Sequence, residues 1–328
     1  MSNNEISEVI GSSAASVKVL QQVKRVARLS YPVLLLGQSG AGKNMLAELI
    51  HRFSGREGKP FKIVTCSAIP SELLESELFG FEKGAFTHAV KSHSGKFAQA
   101  SDGTILLDEI GDLPGLLQAK LLGVLDKGEY YALGSEHSKK SNARVIAATN
   151  KNLREEVAAG RFREDLFYRL NVISIHVPSL VQRQEDILLF VNNFVRNFNH
   201  KNHRHVKFST EAIEELKSYH WPGNVRQLES VVTHACAFAK ESVVDVLLVR
   251  DVLAEEPQLT SVASGIDDSV PDDLSLAAVE KKHVLDILGI CDGKVIQAAK
   301  VLGIGQSTLF LKLKKWKEEV NKDTNRLV

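Results

Sequence analysis

No stretch of the 328-residue sequence approaches the roughly 20 consecutive apolar residues that a membrane-spanning helix needs. The first residues, MSNNEISEVIG, have neither a basic start nor a long apolar run, which argues against a secretory leader. Cysteine is scarce: Cys66, Cys236 and Cys291 stand far apart and match no metal-ligand spacing. They read as reduced thiols, and the expected location is the cytoplasm. The formal net charge is only +1, so no chain-wide field recruits nucleic acid, and any basic surface has to be local. There is no internal repeat and no long low-complexity tract. What remains is an ordinary soluble composition, 44% hydrophobic and 25% charged, with length for two or three domains.

The hydrophobic pattern divides the chain. Residues 33–36, 61–64, 104–107 and 144–148 read as short buried strands, and the segments between them have helical spacing, as in Leu46, Leu49, Ile50 and Phe53. Strands alternating with helices predict an α/β fold, a parallel sheet with helices on both faces, over residues 9–178. From about Gln184 the pattern is wholly helical. Residues 187–198, 211–219 and 225–238 predict three helices of a small bundle within 179–250, with a stop and turn at His220-Trp221-Pro222-Gly223. The polar run 255–273 has little periodicity, and a flexible linker is expected over 251–273, before a helical domain at 274–328.

The segment Gly37, Gln38, Ser39, Gly40, Ala41, Gly42, Lys43 follows a strand and opens a helix. Glycines in that position let backbone N–H groups turn inward around a phosphate, the helix N-terminus adds positive potential, and Lys43 reaches the outer phosphates. Asn44 stands where such loops usually carry Ser or Thr, so Mg²⁺ has to find another ligand or a water there. The strand at 104–107 ends in Asp108 and Glu109, suited to holding Mg²⁺ and to polarising an attacking water. Taken alone, such an acidic pair is as ordinary as an exposed turn; after a phosphate loop at this distance the functional reading is preferred. Asn150, at the tip of the next strand, is a weaker candidate for sensing the terminal phosphate.

Longer motifs carry a resemblance. Glu75-Ser76-Glu77-Leu78-Phe79-Gly80 runs into Gly84-Ala85-Phe86-Thr87-His88-Ala89, followed by Gly95-Lys96-Phe97, Gln118-Ala119-Lys120-Leu121-Leu122, Phe162-Arg163-Glu164-Asp165-Leu166, Tyr168-Arg169-Leu170-Asn171-Val172 and Trp221-Pro222-Gly223-Asn224-Val225-Arg226. In this order they resemble the sigma-54 activators, or bacterial enhancer-binding proteins, of the AAA+ superfamily. The resemblance implies an ATP- and Mg²⁺-dependent ring ATPase, a hexamer or a mixed ring, that remodels sigma-54 RNA polymerase. It implies nucleotide and hydrolysis roles for Lys43, Asp108 and Glu109, a sensor position for Asn150, and a second sensor arginine at Arg226. Arg163 and Arg169 match arginines that reach a neighbouring subunit's ATP; outside this motif they read as surface ion pairs with Glu164 and Asp165. Gly84, Ala85, Phe86, Thr87, His88 and Ala89 match the loop that contacts sigma-54.

The sequence departs from the family at several places. The family motif is GAFTGA, with glycine where His88 stands, and a histidine resists backbone angles that glycine allows. Thr65 replaces an Asn that restrains the catalytic Glu in the family; its hydroxyl has a shorter reach, so altered coupling of hydrolysis to partner binding is expected. These changes keep open two other readings, a DNA-binding regulator independent of sigma-54 and a subunit active only in a mixed ring.

At the C-terminal end, Lys294 to Ile304 and Gly305 to Lys315 read as two helices, with Ala298-Ala299 allowing close packing and Gly303 making the turn. The pattern resembles a Fis-type helix-turn-helix. Gln306, Ser307 and Thr308 are candidates for base or phosphate contacts, and Lys312, Lys314 and Lys315 for phosphates of double-stranded DNA. A helix before it, with Leu274, Ala277, Val284 and Leu288, reads either as a dimer seam or as core. Because the ATPase motifs begin near Val9-Ile10-Gly11, control is expected from expression, from a separate regulator protein acting in trans, or from a partner in the ring.

Overall fold

The computed structural model describes residues 11–85, 91–239, 241–256, 284, 287–288 and 294–324. They fall into two compact units, residues 1–259 and 260–328, each taken by itself.

The first unit opens with α1 (Ala14–Ala27), whose N-cap Ser13 accepts the Ser16 N–H and whose Val19 and Val23 turn inward. Next come β1 (Val33–Leu36), α2 (Lys43–Arg52), β2 (Phe61–Thr65) and α3 (Ser71–Phe79). An antiparallel pair, β3 (Gly80–Phe81) with β4 (His93–Ser94), leads to α4 (Lys96–Ala100) and β5 (Thr104–Asp108). α5 (Gly115–Lys127), the hairpin β6 (Glu129–Tyr131) and β7 (Ser138–Lys140), β8 (Arg144–Thr149), α6 (Leu153–Ala158), α7 (Glu164–Leu170) and β9 (Ser174–His176) complete the α/β part.

Five strands form one parallel sheet in the order β2-β5-β8-β1-β9. Successive side chains of a strand point to opposite faces, and the two cores follow that alternation. Leu34, Ile105, Leu107, Val145 and Ala147 pack on one face; Val33, Leu35, Leu106, Ile146 and Ala148 pack on the other. Burial on both faces is why these strands are unbroken apolar runs. β9 escaped the sequence reading because only Ile175 of its three residues is buried. The ends predicted for β2, β5 and β8 each extend by one residue.

A 3-10 segment (Leu180–Asp186) leads into the helical lid, α8 (Ile187–Asn202), β10 (Lys207–Phe208), α9 (Thr210–Ser218), α10 (Asn224–Phe238), β11 (Val243–Val244) and α11 (Val246–Glu255). Trp221, read as part of a stop signal, is also the centre of the lid: it is 1% exposed, and its indole N–H donates to the Leu216 carbonyl at 2.7 Å. α11 corrects the expected linker start at 251. The helix runs to Glu255 because Val249 and Val252, three apart, both fill the lid core.

In the second unit α12 (Val295–Val301) and α13 (Gln306–Thr324) meet across a turn at Gly303, which has φ +66°. Val284, Ala298, Ala299 and Leu309 form its core, with Leu288, Leu302, Ile304, Leu313 and Trp316 packed around them. Val284 and Leu288 are therefore core in the described residues; Leu274 and Ala277 lie outside them. Among the described residues no helix is long and apolar enough to cross a membrane.

Candidate functional site

Two strand ends and one lid turn converge on a cleft of about 430 Å³ in the first unit. Parallel strands deliver their C-terminal ends to the same edge of a sheet, which is where open α/β folds bind ligands. β1 delivers the glycine loop and β5 delivers Asp108 and Glu109.

In the loop, Gly40 and Gly42 have φ of +72° and +99°, a region that only glycine enters freely. A Cβ on Gly40 would stand 2.3 Å from the Gly223 carbonyl oxygen, so the lid turn presses directly on the loop. Around Gly42 there is open space. Lys43 begins α2 and is 5% exposed; its Nζ donates to the Gly37 and Gln38 carbonyls at 3.0 and 3.2 Å and stands 3.9 Å from Glu109 Oε1. Burial lowers its pKa, while Glu109 and Asp108 oppose that shift.

Asp108 is nearly buried, and its Oδ1 accepts the Glu109 N–H at 3.0 Å. Glu109 takes a left-handed backbone, φ +53°, unusual for a side chain of its kind. Its Oε2 is buried with no hydrogen-bond partner among the described residues. An orphaned carboxylate oxygen beside a caged ammonium and an open glycine loop is a donor and acceptor set that fits a polyphosphate, its metal ion and a water. Asn44 also lines this cleft.

The lid closes the other side. Asn224, fully buried at φ +52°, donates to Gln38 Oε1 at 3.1 Å and to the Ser39 carbonyl at 3.0 Å, while its own carbonyl accepts the Leu180 N–H at 2.8 Å. Next to it Arg226 donates to Ser39 Oγ at 3.3 Å. Arg183 is buried, donates to the Ala41 carbonyl at 2.6 Å and lies over the Phe190 ring. Burial pulls its pKa below the ordinary value, opposed by the Asp186 charge. Val19, Val177, Phe190 and Phe194 give the cleft an apolar end suited to a flat ring.

Asp186 ties the start of the unit to this joint. It is fully buried; Oδ1 accepts the N–H groups of Ser12 and Ser13 at 2.6 and 2.7 Å, and Oδ2 accepts the Ser13 and Ser16 hydroxyls, each at 2.7 Å. A Cβ on Gly11 would stand 2.2 Å from Asp186 Oδ2.

Of the residues singled out in the sequence, Lys43, Asp108, Glu109, Asn44 and Arg226 come together in the cleft. Asn150 is exposed just beyond β8 and does not line it. Nor do Arg163 and Arg169. Arg163 pairs with Asp165 at 2.7 Å, and Arg169 pairs with Asp126 at 2.9 Å and donates to the Leu125 carbonyl at 2.7 Å. The alternative reading of Arg163, an ion pair with Asp165, is thus present, while Arg169 pairs with Asp126 and not with Glu164 or Asp165. Thr65 lies directly opposite Asp108 in the β2–β5 register. Gly84 and Ala85 close a turn in which the Ala85 N–H donates to the Glu82 carbonyl at 3.1 Å. Phe86, Thr87, His88 and Ala89 lie outside the described residues.

In the second unit Gln306, Ser307 and Thr308 are exposed at the start of α13, and Lys314 is exposed further along. Lys312 is half-buried, and the Lys315 side chain lies outside the described residues.

Asn224, Arg183 and Asp186 were not assigned a role from sequence. Asn224 had a signal, an Asn after Trp-Pro-Gly, since Asn tolerates the left-handed region. Asp186 had none, its partners being 170 to 174 residues upstream.

The family profile of the sigma-54 interaction domain matches residues 9–176, that of the AAA+ ATPase lid domain residues 181–264, and that of the bacterial regulatory protein, Fis family, residues 275–316. The chain is 42% identical over 308 residues to the transcriptional regulatory protein ZraR of Salmonella typhimurium, covering 93% of this chain and 68% of that protein. It is 38% identical over 314 residues to the transcriptional regulatory protein GlrR of Escherichia coli, covering 95% and 69%. Among solved structures, NtrX from Brucella abortus in complex with ATP superposes with a TM-score of 0.69 at 30% identity, covering 95% of this chain and 71% of that one. Yeast Hsp104 bound to ADP, at 19% identity and a TM-score of 0.51 over 71% of this chain and 46% of that one, shares the fold.

Proposed function

Because the chain belongs to the sigma-54-dependent transcriptional activators of the AAA+ superfamily, with a Fis-type helix-turn-helix, we propose that it is an ATP-hydrolysing activator. In this reading it holds enhancer-like double-stranded DNA through its second unit and remodels sigma-54 RNA polymerase promoter complexes with its first. The observation that carries the reading is the meeting of Lys43, Asp108, Glu109 and Arg226 in one cleft.

Each residue then has a task. The glycine loop turns its N–H groups toward the phosphates, and Lys43 exchanges its two carbonyl acceptors for phosphate oxygens. Asp108 would hold Mg²⁺, which when bound would supply charge neutralisation on the phosphates. Glu109 orients the attacking water through the oxygen that has no partner among the described residues. Arg226 brings a lid-borne positive charge to the loop, so nucleotide occupancy shifts the lid. Arg163 and Arg169 act on the cleft of the next subunit, in a homo-oligomeric or mixed ring, a hexamer by family analogy. Their exposed ion pairs are compatible with that exchange, because such pairs are weakly held. A separate regulator acting in trans is a further partner in this reading.

The histidine at position 88, in place of the second glycine of GAFTGA, favours a second reading, a DNA-binding regulator that no longer engages sigma-54. The test is capture of purified sigma-54 by the chain with ATP and aluminium fluoride, beside a His88→Gly control. Capture by the native chain supports the activator reading. Capture by the control alone moves the reading to the sigma-54-independent regulator.

A further inference from the structure

The outward face of α13 carries two large apolar side chains, Phe310 and Leu311, among its described residues, where a DNA-reading helix would ordinarily carry polar or basic ones. Leu309, Leu313 and Trp316 turn into the core of the unit, so the helical repeat places residues 307, 310, 311 and 314 on the other side, with Gln306 exposed at the first turn beside them. Phe310 and Leu311 are 62% and 66% exposed. One exposed apolar residue needs no explanation. Here two large ones share a surface groove with Val295, Gln306 and Ser307.

The segment that forms this groove carries charge of one sign. Residues 294–317 contain six lysines and no acidic residue. Among them Lys294, Lys300 and Lys314 are exposed. An apolar patch on a lysine-rich segment suits the major groove of duplex DNA, where phosphates flank the base edges and only thymine presents a methyl group. The same segment has no arginine, the side chain that most often pairs with guanine. Glutamine, by contrast, pairs two-fold with adenine.

Resting on the DNA-binding reading above, we infer that α13 selects A·T pairs, Gln306 pairing with an adenine and Phe310 and Leu311 packing against thymine methyl groups. Gln306 and Phe310 are four residues apart, one turn of helix, so they meet neighbouring base pairs on the same side of the groove. These three are specificity-determining residues; the lysines add affinity without sequence information.

The experiment selects duplexes from a random-sequence pool with the full-length chain, then resynthesises the selected site with deoxyuridine replacing thymidine one position at a time. Deoxyuridine lacks only the methyl group. The expected site has A·T pairs in each half, and removing a contacted methyl weakens binding by about fourfold, the value of one buried methyl. Phe310→Ala loses that sensitivity, and Gln306→Ala accepts other bases at the adenine position after a loss of roughly tenfold. Both side chains are exposed, so the variants should melt with the parent chain. Salt-dependent binding to a G·C-rich selected site, or indifference to every methyl removal, overturns this inference and leaves DNA binding standing. No binding to any duplex at low salt overturns the DNA-binding reading and this inference with it.

Discussion

Four arginines of the first unit fall into two pairs with opposite surroundings. Arg183 and Arg226 face the cleft and are fastened to the glycine loop, one through the Ala41 carbonyl and the other through the Ser39 hydroxyl. Arg163 and Arg169 sit on and beside α7, half in solvent, held by Asp165 and Asp126. Taking a guanidinium out of water is costly, so Arg183 is compensated by a fixed acceptor and an aromatic face. The exposed pair is held by carboxylates whose attraction water and salt largely screen. The contrast separates groups committed to this chain's own cleft from groups available to another molecule.

The largest effects test that separation directly. Lys43→Ala should bring ATP turnover below detection, and Arg169→Ala should lower it by roughly 10³-fold or more, the usual worth of an arginine supplied to a transferring phosphoryl group. Steady-state phosphate release measures both. Mixing the two inactive variants sharpens the comparison, because one lends its arginine to the intact loop of the other; activity should return in the mixture. Turnover by Arg169→Ala alone at the parent rate would break the comparison.

A smaller contrast is in stability. Asn224→Leu removes three hydrogen bonds, two to the glycine loop and one to the Leu180 N–H, and should lower unfolding stability by about 3 kcal/mol. Asp126→Ala, which strips the exposed partner from Arg169, should leave the denaturation midpoint unchanged. Equal losses in a urea titration would mean that the two sets are equally built in.

The smallest effect separates packing from the arginines. His51 is buried against Phe61, one ring nitrogen 2.9 Å from Thr104 Oγ1, and burial holds its pKa below the usual 6.5. The unfolded chain therefore takes up the proton first, and stability falls as pH drops below about 6.5 toward the lowered value. His51→Asn should flatten the fall in melting temperature between pH 7 and pH 5.5 by a small but measurable amount; an unchanged slope would assign the acid sensitivity elsewhere.

Legibility in the sequence followed burial. β1, β5 and β8 were readable because both of their faces are covered, which leaves uninterrupted apolar runs. β9 was not, since a single inward Ile175 gives no periodicity. The last turn of α11 was lost among Arg250, Asp251 and Glu255, charges on its outer side that hide Val249 and Val252. In the cleft, Lys43, Asp108 and Glu109 were legible because local backbone chemistry positions them. Asn224 and Asp186 act through partners more than 150 residues away in sequence, and only the fold brings those together. The same holds for the outward placement of Arg169, which depends on α5 supplying Asp126.

The four contacts gathered by Asp186 moor the segment at Gly11 to the joint between sheet and lid. Any cargo joined to the chain just ahead of that segment, such as a purification tag or a fluorescent protein, hangs from the same mooring. A probe placed there serves as a reporter stationed where the two halves of the unit meet.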